Sequence, residues 1–437
     1  MTEASRSRFG VRLAPTEPHP GVSVRATLAR FQEQLTGPRL RAGAWQAIDA
    51  ILGYDVFQRQ RREVANSVMS ITIGELRRFA VARSLPRPSP LKRALDRLGF
   101  VQADPIRAPA RAQDLMLRHR VVNYHAGDLE RRYMKLGIEE DFFINYGFVT
   151  PSVQALMHPR PEACVPAGGL RSWPAARRKL AQLLLAFVRE RGAVHPREVD
   201  EYFAHGTVRN YWGGSSNATT HLLDAMHYRG MLRVVRRERG IRIYAAHQHG
   251  LGPGDAFTCH ARIDALVDIA VRIYAPLPGP SLSFLIRRLR FAAPQWQAEL
   301  TSAIQRAKHR LSRARVDGID WYWPAKEEVA GAETRDKVCL LTPFDPLVWD
   351  RDRFELLWGW VYRFEAYTPA PRRRLGYYAL PLLWRDRVIG WGNLAVNQGK
   401  LGYALGYVKS HAPRDRIFSR ELDAELDRMR AFLQLES

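Results

Sequence analysis

Cysteine, lysine and long apolar runs are all scarce in this chain, and each shortage narrows its possible roles. Only three cysteines occur in 437 residues. Cys164, Cys259 and Cys339 lie far apart with no CxxC spacing, which argues against a structural zinc site and a disulfide framework. No stretch approaches the roughly 18 apolar residues of a membrane-spanning helix. The N-terminus is rich in Arg, Thr and Pro and lacks an apolar signal core. A cytoplasmic protein without a membrane partner is therefore expected, and the Asn217-Ala-Thr219 sequon becomes a chance match. P-loop, HExxH and GxSxG patterns are missing. The thirteen histidines form no metal set; His247 and His249 are spaced for one strand face but lack partners. Neither metal nor cofactor is expected.

Acid is scarce as well: 44 Asp and Glu face 67 Lys and Arg, for a formal net charge of +23 and a pI near 10.4. Such a surplus points to a polyanionic partner, with DNA, RNA and anionic lipid all open. The cation is nearly always arginine, which suits bidentate contacts to phosphate and base. A GC-rich genome would give the same bias.

What is present is enough apolar residue, 46% of the chain, for two to four domains. The first 40 residues are Pro-rich and aperiodic and read as disordered, with a short helix over 42–54. Met69 opens a natural start of a fold, which raises the hypothesis that translation begins there. Helices are expected over 72–84 and 90–98, the second ending at Gly99, followed by an extended Phe100-Val-Gln-Ala-Asp-Pro105. Another helix is expected over 127–136, and Pro159–Pro174 reads as a junction. A helix over 173–191, a short one over 195–203 and a third ending near Arg229 precede strands at 232–236 and 241–244. Three helices and a basic hairpin is the winged-helix order. Farther on, helices are expected at 259–274 and 294–309. Strands are expected at 316–323, 337–341, 377–384, 387–396 and 401–409, before a last helix from Ser419.

In a winged helix the third helix enters the major groove and the wing touches the backbone. That nominates Ser216, Asn217, Thr219 and Thr220 at the third helix, and Arg233, Arg236, Arg237, Arg239 and Arg242 on the wing. A solvated basic surface, or a winged helix serving protein contacts, fits the same pattern. The segment Gln102-Ala103-Asp104 is a second candidate. An Asp before Pro is ordinarily a turn residue. This one is followed by Arg107, Arg111, Arg118 and Arg120, so its pKa is expected to be depressed. An anion kept near phosphates has a use in base excision, where positive charge builds on the deoxyribose and a carboxylate stabilises it and directs water.

Further residues carry a resemblance. They are Leu98-Gly-Phe-Val-Gln-Ala-Asp-Pro-Ile-Arg-Ala-Pro-Ala-Arg-Ala-Gln-Asp114, Asn217-Ala-Thr-Thr-His-Leu-Leu-Asp-Ala-Met-His-Tyr-Arg-Gly-Met-Leu-Arg233, Thr342-Pro-Phe-Asp-Pro-Leu-Val-Trp-Asp-Arg351, Tyr362-Arg-Phe-Glu365 and Pro369-Ala-Pro-Arg-Arg-Arg-Leu-Gly-Tyr-Tyr378. Over residues 72–435 the chain resembles the bacterial winged-helix DNA glycosylases of the YcaQ/AlkZ type. The resemblance implies an α+β fold of tandem winged helix-turn-helix units with a β-rich C-terminal portion, shaped as a C-shaped clamp on DNA. The implied divisions are an extension at 1–68, units at 69–160, 170–249 and 255–330, and a C-terminal region at 331–437. It implies metal-free, monofunctional hydrolysis of the N-glycosidic bond of N7-alkylated purines, including crosslinks. Gln102 and Asp104 take the family's Gln-x-Asp positions, and Arg107, Arg111, Arg372 and Arg373 join the candidate DNA contacts. The partner is then double-stranded DNA, met by a monomer. One departure is the stretch Phe143-Ile-Asn-Tyr-Gly-Phe148, where many members carry an aromatic-Glu-Tyr-Trp-x-His segment. The alternative reading is a non-enzymatic winged-helix regulator, with an RNA-binding or nuclease role behind it.

Overall fold

Thr72 starts the ordered fold with a capping box: its side chain accepts from Glu75 N while the Glu75 carboxylate accepts from Thr72 N. Helix α1 (Ile73–Ser84) follows, then α2 (Leu91–Leu98), which buries Leu91, Ala94 and Leu95 and stops at Gly99 with φ +73°. In this computed structural model the described residues are 71–158, 160, 174–203, 207–209, 215–247 and 256–435. The extension 1–68, its helix at 42–54, Met69 and the junction residues 161–173 lie outside them.

The described chain repeats one plan. In the first repeat α2 leads to β1 (Phe100–Gln102), α3 (Ala112–Leu117), α4 (Asp128–Leu136) and the hairpin β2 (Glu139–Phe142) and β3 (Tyr146–Val149). After α5 (Pro151–Met157), the second runs α6 (Ala175–Arg191), β4 (Ala193–Val194), α7 (Pro196–Phe203), α8 (Ala218–Tyr228), β7 (Leu232–Glu238) and β8 (Ile241–Ala246). Strands β5 (Thr207–Arg209) and β6 (Ser215–Asn217) pair between α7 and α8. The third has α9 (Ala256–Tyr274), β9 (Leu277–Pro278), α10 (Gly279–Arg288), α11 (Leu300–Arg310), β10 (Ser312–Val316) and β11 (Ile319–Trp323). The sheet orders β1-β3-β2, β4-β8-β7 and β9-β11-β10 are one topology: the short first strand pairs with the last strand of the hairpin.

The C-terminal part is an antiparallel sheet ordered β12 (Val338–Leu340), β13 (Leu380–Trp384), β14 (Arg387–Asn397), β15 (Lys400–Tyr407). It carries α12 (Arg351–Trp358) and a closing helix α13 (Arg416–Leu433). The α+β content expected from the sequence is therefore observed. No described helix is long and apolar enough to cross a membrane.

Three apolar clusters organise these parts. One joins α1, the third repeat and α12 through Phe79, Val267, Leu285, Trp321 and Phe354. A second joins the first repeat to the C-terminal sheet and α13, through Val101, Leu115, Leu340, Leu382 and Phe432. The second repeat holds a cluster of its own, around Leu184, Val188, Leu223 and Val234. A Leu or Val side chain fully buried in such clusters contributes roughly 1.5–3 kcal/mol.

Candidate active site

The first repeat differs from the others in one connection. Between the first strand and the second helix the second repeat has only His195 and the third has nothing, whereas the first inserts residues 103–111. That loop carries Asp104. Ala103 N still donates to Tyr146 O at 3.0 Å, so the ladder extends one bond beyond β1. Asp104 N then donates to the buried Gln113 Oε1 at 3.4 Å, and Ile106 N donates to Asp104 Oδ1 at 2.9 Å. The latter bond closes an Asx-turn across Pro105, which fixes the carboxylate relative to the backbone.

The expectation of a depressed pKa is corrected here. Burial raises the Asp104 carboxyl above its ordinary range, and only the Ile106 N–H opposes it. Among the described residues no cation lies within ion-pair distance of it, because the nearby arginines are engaged elsewhere. Arg120 is buried on Asp345, with contacts of 2.8 and 3.1 Å, Arg118 on Glu425, and Arg111 on Glu130. Arg107 is exposed in the same loop.

Gln102 is only 7% exposed. Its Oε1 accepts from Asn145 Nδ2 at 3.0 Å, and Asn145 Oδ1 accepts from Arg288 Nη2. Arg288 also donates through Nε to Ile144 O at 2.9 Å. Arg288 comes from α10 of the third repeat, and its charge fixes which way both amides point. The Gln102 amide nitrogen is left as the unengaged end. The departing stretch 143–148 thus supplies Asn145 as the clamp on Gln102. Gly147 lies opposite Gln102 in the ladder, and a Cβ there would run into the Val101 carbonyl.

The C-terminal region walls the loop with aromatic rings. Ala103, Ile106 and Ala108 pack against the cluster that holds Tyr378, with Phe344 and Phe364 against its edge. Phe364 meets Phe344 and Tyr378 edge-on, each with centroids 5.3 Å apart, and Tyr367 at 6.1 Å. Burial raises the Tyr378 phenol well above its ordinary range and the Asp104 charge adds to this; the same two causes raise Tyr367. A half-desolvated carboxylate, a clamped amide and an aromatic wall therefore share one end of the first repeat. Sequence reasoning found the first two. It did not place Asn145, Arg288, Phe364, Tyr367 or Tyr378 in the site, although Asn145, Phe364 and Tyr378 fall in stretches quoted for the resemblance, because all five lie far along the chain from the motif.

Several of the nominated DNA contacts are paired with carboxylates of the first repeat. Strand β2 carries three consecutive acids, and each has a cationic partner. Arg233 is paired with Glu139; Arg237 donates to Glu140 at 2.7 and 2.6 Å; Arg160 reaches Asp141 at 3.0 Å, where His158 also bonds at 2.7 Å. Against the effect of burial, Arg237 and Arg242 hold Glu140 below the usual carboxylate range, and Arg160 and His158 do the same for Asp141. Tyr133 of α4 donates to Val234 O at 2.9 Å. The contacts of Arg233, Val234 and Arg237 fasten β7 of the second repeat to the first. Arg111 sits under the wing turn, where a Cβ at Gly240 would run into its guanidinium.

Four of the nominated residues have partners within the protein: Arg233, Arg237 and Arg111 are paired with carboxylates, and Thr219 is 0% exposed and donates to Asp200 at 2.9 Å. Arg242 bonds Asp224 at 2.7 Å and stacks on Tyr146 at 4.3 Å. Arg236 pairs locally with Glu238 at 2.7 Å, while Arg239 at the tip and Thr220 on α8 are exposed. Ser216 and Asn217 lie in β6, ahead of the helix they were expected to start, and their side chains are outside the described part. Arg372 is exposed, and Arg373 donates to Thr368 O at 2.7 Å and covers the Tyr377 ring at 5.0 Å.

Comparison with known proteins supplies a context for this geometry. A family model described as DNA glycosylase AlkZ-like matches residues 95–432. Among solved structures, the chain is similar to the Streptomyces sahachiroi DNA glycosylase AlkZ, with a TM-score of 0.56 and 14% identity over 84% of this chain and 98% of that one. The structural likeness concerns the fold.

Proposed function

The chain belongs to the AlkZ-like DNA glycosylase family, and on that premise we propose that it hydrolyses the N-glycosidic bond of N7-alkylated purines, in single lesions and in interstrand crosslinks. The observation that carries this reading is the Asp104 carboxylate, held by an Asx-turn, half-desolvated and, among the described residues, without an ion pair, in a chain of net charge +23. A purine alkylated at N7 is cationic, so it departs as a neutral base with the electron pair of the C1′–N9 bond. Positive charge then builds on the sugar, and an unneutralised carboxylate at low local dielectric stabilises it. Water adds to C1′ and gives its proton to Asp104, whose raised pKa makes it a stronger base than a solvated aspartate. The Gln102 amide, clamped by Asn145, is placed to hold that water. No Lys-derived covalent intermediate is needed, which makes the reaction monofunctional.

The repeated helix–strand–helix–helix–hairpin plan supports three tandem winged-helix units arranged as a C-shaped clamp. The exposed Arg107, Arg239, Arg372 and Thr220 are its candidate contacts to DNA, together with Arg236, Arg373, Ser216 and Asn217. The regulator alternative is not favoured by the family membership. The test is incubation with a duplex containing N7-methylguanine, followed by detection of abasic sites. Release by the wild type, reduced about 100- to 1,000-fold in Asp104→Asn, is the expected result. Tight binding without release would leave only a DNA-binding protein.

A further inference from the structure

Segment 361–377 crosses from α12 to the C-terminal sheet beside the loop that carries Asp104. It exposes an aromatic ring, Tyr367, at 73%, although Tyr is ordinarily half-buried or better. Beside it opens a groove of about 1010 Å³ whose walls include Arg363, Arg372 and Arg374. Among the described residues none of these guanidinium groups has a carboxylate within 4 Å, in contrast to the paired arginines of β7. The groove also holds Asp352, Glu355 and Glu365. Glu365 is buried and spoken for, accepting from the backbone N–H of Arg374, Leu375 and Gly376 at 2.8, 2.7 and 3.3 Å. Those three bonds hold the turn that presents the arginines. Gly376 has φ +118°, and a Cβ there would strike the Asn393 side chain, so the turn admits little else.

Phe364 couples the groove to the catalytic loop. It lines the groove, meets Tyr367 edge-on with an interplanar angle of 83°, and stands at 88° to Tyr378, in the wall against which Ala103 and Ile106 pack. An exposed ring beside unpaired arginines is the arrangement that holds a single nucleic-acid strand, rings stacking on bases and cations on phosphates. We infer that Tyr367 is the surface on which the purine being excised stacks, with the Arg363–Arg374 groove holding the flanking phosphodiesters of the same strand. This rests on the glycosylase reading above and adds to it a residue that selects the lesion. A cationic alkylpurine stacks on a phenol ring more favourably than a neutral base does, because the ring face is electron-rich.

Binding is measured with a duplex carrying 2′-fluoro-N7-methyldeoxyguanosine, whose glycosidic bond resists cleavage, against the same duplex with guanine. The wild type is expected to prefer the lesion duplex, and Tyr367→Ala to lose about 10- to 100-fold of that preference while retaining affinity for the unmodified duplex. Tyr367→Phe and Tyr367→Trp, which keep a ring, are expected to keep the preference. Full preference in Tyr367→Ala, or its loss in Tyr367→Phe, overturns the stacking role. Because the probe is not cleaved, this outcome is independent of whether Asp104→Asn abolishes base release on the natural lesion, so the two readings fail separately.

Discussion

The first and second repeats share a strand order and differ in where they keep their charge. The first inserts residues 103–111 after its opening strand and leaves a carboxylate there with no cation in ion-pair range among the described residues. The second has a single residue at that point, and its hairpin turns Arg233 and Arg237 inward onto Glu139 and Glu140. One repeat thus holds an anion apart for chemistry, and the other uses its cations as an internal fastener. Net charge therefore describes the affinity of the whole chain for a polyanion, while internal pairing decides which arginines are free to meet it. The contrast also explains why Asp104 is not simply another partner in the cationic stretch that follows it. Arg111, Arg118 and Arg120 are all committed to other carboxylates.

The comparison is broken most forcefully at Glu140. Its side chain is fully buried and takes both Arg237 bonds, with Tyr146 donating at 2.6 Å. Removing one partner of such a pair leaves a buried charge uncompensated, so Glu140→Ala is expected to destabilise the protein by about 3–5 kcal/mol in urea unfolding. Asp104→Asn is expected to shift the same curve by less than about 1 kcal/mol, since no ion pair is lost. Similar losses in the two variants would erase the distinction between fastener and site.

A second effect lies in Glu139. Burial pushes its carboxyl up to about 7 despite Arg233. The folded state therefore keeps a proton that the unfolded chain releases near its ordinary value of 4.5. Between those pH values the native state binds more protons, and stability falls as pH rises. The contribution is on the order of 1–3 kcal/mol, fully present below pH about 4.5 and lost through pH about 7. It should appear as the difference between wild-type and Glu139→Gln melting curves at pH 5 and pH 8. That difference separates it from the buried His119 and His227, whose lowered pKa values act in the opposite direction. No pH dependence in the difference would mean that Arg233 keeps Glu139 ionised.

The smallest effect sharpens the assignment of free cations. Arg239, exposed at the wing tip, is expected to release about one counterion on binding duplex DNA. Arg239→Gln should then reduce the slope of log affinity against log salt by about 0.9. Arg237→Gln, by contrast, should act through stability. A full slope in Arg239→Gln would remove the wing tip from the interface.

Much of the fold was legible as periodicity. Leu91, Ala94, Leu95 and Leu98 marked α2, and the alternating stretches after Leu380 marked the C-terminal sheet. Helix α3 escaped because all six of its residues are buried and leave no polar face to set a period. Helix α10 begins Gly279-Pro280 and has no expectation from sequence, although proline suits a first turn. The hairpin 312–323 reads in sequence as one strand from 316, although Asp317-Gly318, both at positive φ, make the two-residue turn such hairpins favour. Gln102 and Asp104 were legible through their motif, but their electrostatics were not. Sequence proximity to arginines says nothing of which carboxylates claim those arginines in three dimensions. The run Glu139-Glu140-Asp141 was the available clue, an acid triplet in a strongly basic chain that had to find partners.

The account depends on Asp104 working as an unpaired carboxylate whose pKa is raised by burial, and single-turnover release of N7-methylguanine across pH tests this most directly. Release should rise through an acid limb centred above the ordinary aspartate value of about 3.9, and Asp104→Asn should remove nearly all release. A limb at or below that value would mean that a cation pairs with the carboxylate after all. Undiminished release by Asp104→Asn would place the chemistry elsewhere in the protein.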